Sequence, residues 1–207
     1  VDDWYFSAGE WLEGTAFFPP LDRVGSVVAR GLRGGPDKHY LRHHWVLHAA
    51  IVSATRSVRI LTPYFLPDST LANALNLASM QGVSVDIVLP ARSNLPFVHW
   101  AMMAHLGHVM DFDCRVWLSP PPFDHSKLMI VDDHWCFIGS SNWDPRSLML
   151  NFEFNIECYD PSLAKTLSGL VDARIREAGR LTRADLDALP FAAKLRNGIT
   201  RLLTPYL

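Results

Sequence analysis

Four side chains in this 207-residue sequence have types and spacing that could act together as a chemical site: His125, Lys127, Ser140 and Asn142. They lie in one stretch, His125-Ser-Lys-Leu-Met-Ile-Val-Asp-Asp-His-Trp-Cys-Phe-Ile-Gly-Ser-Ser-Asn142. An imidazole serves as a nucleophile or proton carrier. An ammonium, a hydroxyl and an amide suit the oxygens of a phosphodiester, whose negative charge spreads over the equatorial positions during in-line displacement. With such fixed donors the reaction requires no metal, and no cofactor is expected.

The elements that must position this set can be read from the same stretch. Leu128 to Val131 and Trp135 to Ile138 are apolar and β-prone, whereas Asp132, Asp133 and His134 are turn-like, which predicts a β-hairpin. A turn centred near Asp133 carries His125 opposite Ser141, beside Ser140 and Asn142, and His125 and Lys127 share one strand face. A third strand is predicted over Phe152–Tyr159, with Phe152, Phe154, Ile156 and Cys158 on one face and Glu153, Asn155 and Glu157 on the other. Glu153 is placed to sit behind His125 and orient its ring. The alternative, a solvated strand face, suits Glu157 better.

The spacing H-x-K-x4-D-x6-G-S-x-N resembles the signature of the phospholipase D superfamily, matched by His125, Lys127, Asp132, Gly139, Ser140 and Asn142. Six specified positions at about 5% each arise by chance roughly a few times in a million for such a chain. Further segments are similar to the cardiolipin synthase branch: Thr62-Pro-Tyr-Phe-Leu-Pro-Asp68, Gly82 to Pro90, Asn142-Trp-Asp-Pro-Arg-Ser-Leu-Met-Leu-Asn-Phe-Glu153, the ending Leu202 to Leu207, and Asp3 to Glu10, which looks like the stretch after the first motif of two-motif members.

The resemblance implies a phospholipase D-like mixed sheet flanked by helices on both faces. It also implies a phosphohistidine intermediate, with His125 as nucleophile or acid–base partner. Lys127, Ser140 and Asn142 would hold phosphate oxygens, and Glu153 would orient His125. Asp132, near the turn, would have a supporting role, and Tyr64, Phe65 and Trp143 are expected as pocket walls. The family needs two motif copies, and this chain has one H-x-K. The expected partners are therefore a phospholipid substrate and a second motif-bearing half or an identical chain. Peripheral association with the cytoplasmic face of the cell membrane is also implied.

The rest of the chain alternates strand and helix, which predicts an α/β domain. Strands are expected near 23–30, 58–63, 83–89 and 115–118, and helices near 39–55, 69–81, 95–110 and 162–178. Residues 1–22 read as irregular structure or a linker remnant of an upstream half, and residues 23–207 as the catalytic domain. Gly31-Leu-Arg-Gly-Gly-Pro36 reads as a loop. The tail, 189–203, is an amphipathic helix with Phe191, Leu195, Ile199, Leu202 and Leu203 punctuated by Lys194, Arg196 and Arg201. It is suited either to an anionic membrane surface or to packing on its own domain.

Composition narrows the function classes. With 19 basic and 21 acidic residues the net charge is −2, which supplies no general field for nucleic acid. Seven Trp are read mainly as core or pocket walls. Cys114, Cys136 and Cys158, with no C-x-x-C, are read as small buried strand residues. No run is long and apolar enough to be a transmembrane helix, and no signal peptide is visible. The chain opens at Val1 rather than Met, which fits a fragment, a processed form or an unusual start. His44 and His48 lack the Glu of a zincin helix. Asp111-Phe-Asp113 reads as a solvated loop, and Gly139-Ser-Ser141 lacks a hydrolase elbow. Three functions compete: phosphatidyl transfer from phosphatidylglycerol to give cardiolipin, hydrolysis by a phospholipase D or a phosphodiesterase acting on nucleic acid, and a non-catalytic half-domain acting as a dimer module.

Overall fold

The computed structural model describes residues 1–36 and 41–206. His39, read as the start of a helix, lies outside them. Eight strands form one mixed sheet. In chain order the elements are α1 (Asp2–Ala8), β1 (Val28–Gly34), α2 (Arg42–Val52), β2 (Ser57–Leu61), α3 (Ser69–Met80), β3 (Ser84–Pro90), α4 (Pro96–Val109), β4 (Arg115–Ser119), β5 (Leu128–Val131), β6 (Trp135–Gly139), α5 (Pro145–Met149), β7 (Glu153–Tyr159), α6 (Pro161–Glu177), β8 (Gly179–Leu181), α7 (Arg183–Asp187) and α8 (Phe191–Leu202). The strand order is β1-β7-β6-β5-β2-β3-β4-β8, with β2, β3 and β4 parallel and every other pairing antiparallel. This is the expected α/β architecture with helices on both faces.

Period-two alternation divides the sheet between two cores. Met129 and Val131 of β5 join Ile60, Ile87 and Val116 in the larger core under α2, α3 and α4. Leu128 and Ile130 point the other way, with Leu61, Val88 and Cys136, onto Ala164 and Val171 of α6. Helix starts are marked by carboxylate caps: Asp68 accepts from the backbone N–H of Leu71 at 2.9 Å, and Asp160, ahead of Pro161, accepts from Leu163 at 2.6 Å. Such caps satisfy N–H groups that the helix itself leaves unpaired.

Several expectations are corrected by the fold. The first strand, expected at 23–30, is shifted: it overlaps that range only at Val28–Arg30 and continues through most of the glycine-rich stretch read as a loop. Its glycines are there for space. A Cβ at Gly31 would stand 2.7 Å from the Phe154 ring, and one at Gly34 would stand 2.6 Å from His43. Residues 2–8 are helical rather than irregular. The short elements α5, β8 and α7 were not anticipated. Of the seven Trp, only Trp135 and Trp143 are buried, while Trp4, Trp11 and Trp45 are exposed. The three cysteines are free and buried, as read, but only Cys136 and Cys158 lie in strands; Cys114 immediately precedes β4.

Strand β7 has the expected alternation with its faces reversed. Asn155 and Glu157 (2% exposed) turn inward, while Phe154 (56%) and Ile156 face solvent. Glu157 is therefore not on a solvated face. It pairs with Arg30 of the neighbouring strand, which offsets the cost of burying its charge.

Candidate active site

The hairpin register is the one read from the sequence. Leu128 faces Ile138, and Val131 faces Trp135. Asp132 and Asp133 both adopt the left-handed conformation, with φ of 55° and 51°, as a tight primed turn requires. Asp132 is locked there. Its carboxylate accepts from Thr55 N–H and Oγ1–H (2.9 and 2.8 Å), Arg56 N–H (2.7 Å) and Ser57 N–H (2.8 Å). Burial pushes its pKa up, but these donors outweigh that and hold it below the ordinary value. The motif aspartate thus ties the turn to the start of β2, at the end of the hairpin away from His125.

At the open end the ladder stops at Leu128, so His125 does not pair with Ser141 as the extrapolated hairpin implied. It sits on an irregular, solvent-facing segment ahead of β5. Its ring packs beside Tyr64 and Phe123, at centroid distances of 5.9 and 5.8 Å, and those two rings are 6.4 Å apart, so the three form a cluster. Partial desolvation lowers the imidazole pKa first, and the Lys127 charge lowers it further, against the pull of Asp124. A depressed pKa keeps the ring neutral and nucleophilic near pH 7. Lys127 donates from Nζ to the carbonyl of His125 at 2.7 Å. Desolvation lowers its pKa, whereas Glu153, Asp144 and Asp124 favour the cation. Asp124 is held by Arg174 at 3.1 Å.

The second half of the motif is fixed from behind. Gly139 has no room for a side chain, because a Cβ would run into Asn155 Oδ1 and the carbonyl of Phe154. Ser141 lies in a buried polar network that the sequence reading missed. The Leu32 carbonyl 3.0 Å from His43 Nε2 can only accept, so Nε2 carries the proton and Nδ1 accepts from Ser141 Oγ at 3.1 Å. Asn155 Nδ2 donates to Ser141 Oγ at 2.7 Å, and Asn155 Oδ1 accepts from Ser141 N–H at 3.2 Å. Burial depresses the His43 pKa, with the Leu32 carbonyl and Glu153 opposing. In sequence the signal was slight: an inward amide on a strand and one histidine of four on a helix.

The other expected site residues divide into two groups. Asn142 is tied to α5, its Nδ2 donating to Ser147 Oγ at 3.2 Å, while its buried Oδ1 has no hydrogen-bond partner among the described residues. Asp144, also missed, is buried nearby, caps α5 through Ser147 N–H at 2.8 Å, and has its pKa raised by burial. Glu153 is half-buried and its charge favours the cationic form of Lys127. Its hydrogen bond runs to Asn151 at 3.4 Å, and among the described residues none joins it to His125. Ser140 is engaged with β7, its Oγ accepting from Phe154 N–H at 2.9 Å, so it continues the ladder. Phe65 and Trp143 are core residues rather than pocket walls. Their rings are 5.5 Å apart, and Trp143 N–H donates to Tyr64 O at 3.1 Å. They stitch the loop after β2 to the loop after β6. Of the three expected pocket residues, only Tyr64 reaches His125.

Beside His125 and Lys127 opens a cavity of about 490 Å³. Its other walls are Leu61, Leu128, Ile138, Leu167, Leu170 and Arg174. It combines apolar walls with the charged side chains of Lys127, Arg174 and Asp124, the last two paired with each other, a lining suited to an amphiphile carrying a phosphate. Among the described residues no group of three or more His, Cys, Asp or Glu is arranged to hold a metal ion.

Residues 47–174 match the family described as "Cardiolipin synthase, PLD-like domain". The chain is 33% identical over 194 residues to cardiolipin synthase 1 of Staphylococcus epidermidis, covering 92% of this chain and 39% of that protein. It is 31% identical over 191 residues to a cardiolipin synthase of Staphylococcus aureus, with the same coverages. The chain thus spans about 39% of the length of these curated relatives. In fold it is similar to phosphatidylserine synthase of Haemophilus influenzae (TM-score 0.70, 18% identity, 87% of this chain and 48% of that one). It is also similar to Nuc, a phospholipase D family member from Salmonella typhimurium (TM-score 0.63, 22% identity, 75% of this chain and 99% of that one).

Proposed function

Because the chain belongs to the cardiolipin synthase PLD-like domain family, we propose that it supplies one of two phosphate-handling motifs of a phosphatidyltransferase that makes cardiolipin from phosphatidylglycerol. The observation that carries this reading is the placement of His125 and Lys127 together at the mouth of a partly apolar cavity. In this scheme His125 Nε2 attacks the phosphorus of one phosphatidylglycerol. The P–O bond to glycerol breaks, and a proton donor from the second motif copy protonates the leaving alkoxide. The hydroxyl of a second phosphatidylglycerol then attacks the phosphohistidine, loses its proton to that same group and frees His125. Lys127 and Asn142 stabilise the charge on the phosphate oxygens. The lone H-x-K and the exposed apolar side chains Phe154 and Ile156 on β7 support a site completed by a second half or an identical chain.

A hydrolase using water as acceptor is the second reading, favoured by the open, solvent-facing position of His125. Mass spectrometry of products from phosphatidylglycerol vesicles, with H125A as control, separates the two. His125-dependent cardiolipin supports transfer, and phosphatidic acid alone supports hydrolysis. Loss of both products when the chain is assayed alone, with recovery when a second motif-bearing half is added, supports the half-site. Unchanged turnover by H125A overturns the assignment of the nucleophile.

A further inference from the structure

Helix α8 is mounted inside out. Its polar residues Asn197 (5% exposed) and Thr200 (4%) pack inward, while Phe191 (80%) and Leu202 (76%) stand in solvent with Leu195 and Ile199. A helix that folds only to cover its own domain buries the opposite face. At 100° per residue the four apolar side chains fall within an arc of about 80°. Lys194 and Arg201 lie at one edge of that arc and Arg196 at the other.

We propose that this face of α8 is a membrane seat that inserts shallowly into an anionic lipid surface. The inference deepens the lipid reading and rests on it for the choice of partner. Charge selects lipid over protein. From Phe191 to Leu207 the sequence has three basic residues and no acidic one, in a chain whose net charge is −2. None of the three forms an ion pair among the described residues. Lys194 donates to the Asp187 carbonyl, Arg201 meets His108, and Arg196 lies 4.3 Å over the Trp100 ring. Cations at both edges of an apolar strip are placed to reach headgroup phosphates while the strip is buried. Area also argues against a protein partner. One face of a helix about 18 Å long offers a few hundred Å², against about 800 Å² per side in a stable interface.

The seat is tied to the site. Trp100, under Arg196, packs on exposed Phe97 at 5.3 Å at the start of α4. Just before that helix, Asn94 accepts from Tyr64 OH at 2.7 Å, and the Tyr64 ring borders His125. A chain of contacts thus links the helix to the residues beside His125.

Flotation tests this without turnover. The chain is mixed with vesicles of equal parts phosphatidylglycerol and phosphatidylcholine, and with vesicles of phosphatidylcholine alone. Wild type and H125A should float alike on the anionic vesicles and poorly on the neutral ones. L195D/I199D should lose about tenfold or more of the bound fraction, and K194E should lose part of it, with melting temperatures unchanged. F191S/L202S alters the two most exposed positions and repeats the test should the first pair unfold. Equal binding by both double variants overturns the proposal. So does a wild type that is dimeric without vesicles and becomes monomeric in L195D/I199D. Failure of cardiolipin synthesis even with a second motif-bearing half added, and with binding intact, would strike the phosphatidyl-transfer reading alone.

Discussion

The Lys127 ammonium donates to the backbone carbonyl of His125 at 2.7 Å, so the cation is folded back along the chain onto the backbone of His125. The bond holds the charge at the cavity mouth without engaging the imidazole. K127Q should lower the rate of product formation by about 10²–10³, the usual effect of deleting one charge-stabilising donor. Stability should change by no more than about 0.5 kcal/mol. Turnover by mass spectrometry with a urea melt checks both, and a normal rate in K127Q would remove Lys127 from the site.

The titration of His125 follows from the same pair. Desolvation and then the Lys127 charge hold its pKa below the ordinary value, so an NMR titration should place its midpoint below about 6.5. The nucleophilic form is the neutral one, so the rising limb of activity with pH should follow that midpoint, and the loss of the proton donor of the second motif sets the descending limb. K127Q should move the midpoint upward. A midpoint that does not respond would mean the Lys127 charge does not reach the ring.

Asp132 should matter for folding rather than for chemistry. Its carboxylate satisfies donors from three consecutive residues, Thr55, Arg56 and Ser57, and D132A should cost about 2–4 kcal/mol. The folded-state pKa is below the unfolded value. Its stabilisation is therefore present above about pH 3.9 and is lost as pH falls through the lower folded pKa. Denaturant melts across that range should show a shallower acid limb in D132A. Turnover per folded molecule, measured well below the melting temperature, should stay within about threefold of wild type.

His43 holds the Ser140–Asn142 turn from behind, and its loss strands Ser141 and Asn155 in the core. H43A should cost about 2–4 kcal/mol through unsatisfied polar groups and an unfilled cavity. Burial depresses the His43 pKa, so the unfolded chain takes up a proton that the folded one refuses. Stability should therefore decline as pH drops below about 6.5, and H43Q should flatten that slope. Calorimetry at a series of pH values measures it, and identical slopes in both proteins would show that His43 is not the titrating group.

Much of this protein was legible in its sequence, wherever local patterns suffice to fix the outcome. The hairpin register followed from two apolar runs around a polar turn, and the alternation of strand and helix gave the layered α/β class. The motif spacing singled out His125, Lys127 and Asn142. What the tertiary structure alone decided is which way faces point and which atoms meet. The orientation of β7 inverted because Asn155 and Glu157 find partners in His43, Ser141 and Arg30, contacts made between residues far apart in the chain. Phe65 and Trp143 became core residues because two distant loops close on each other. The glycines of the first strand looked like a loop until the Phe154 ring and the His43 side chain filled the space they leave. The apolar stripe of α8 was written in the sequence, but its outward mounting required the fold. A periodic pattern fixes a stripe on a helix, whereas its direction depends on the neighbours against which the other side can pack.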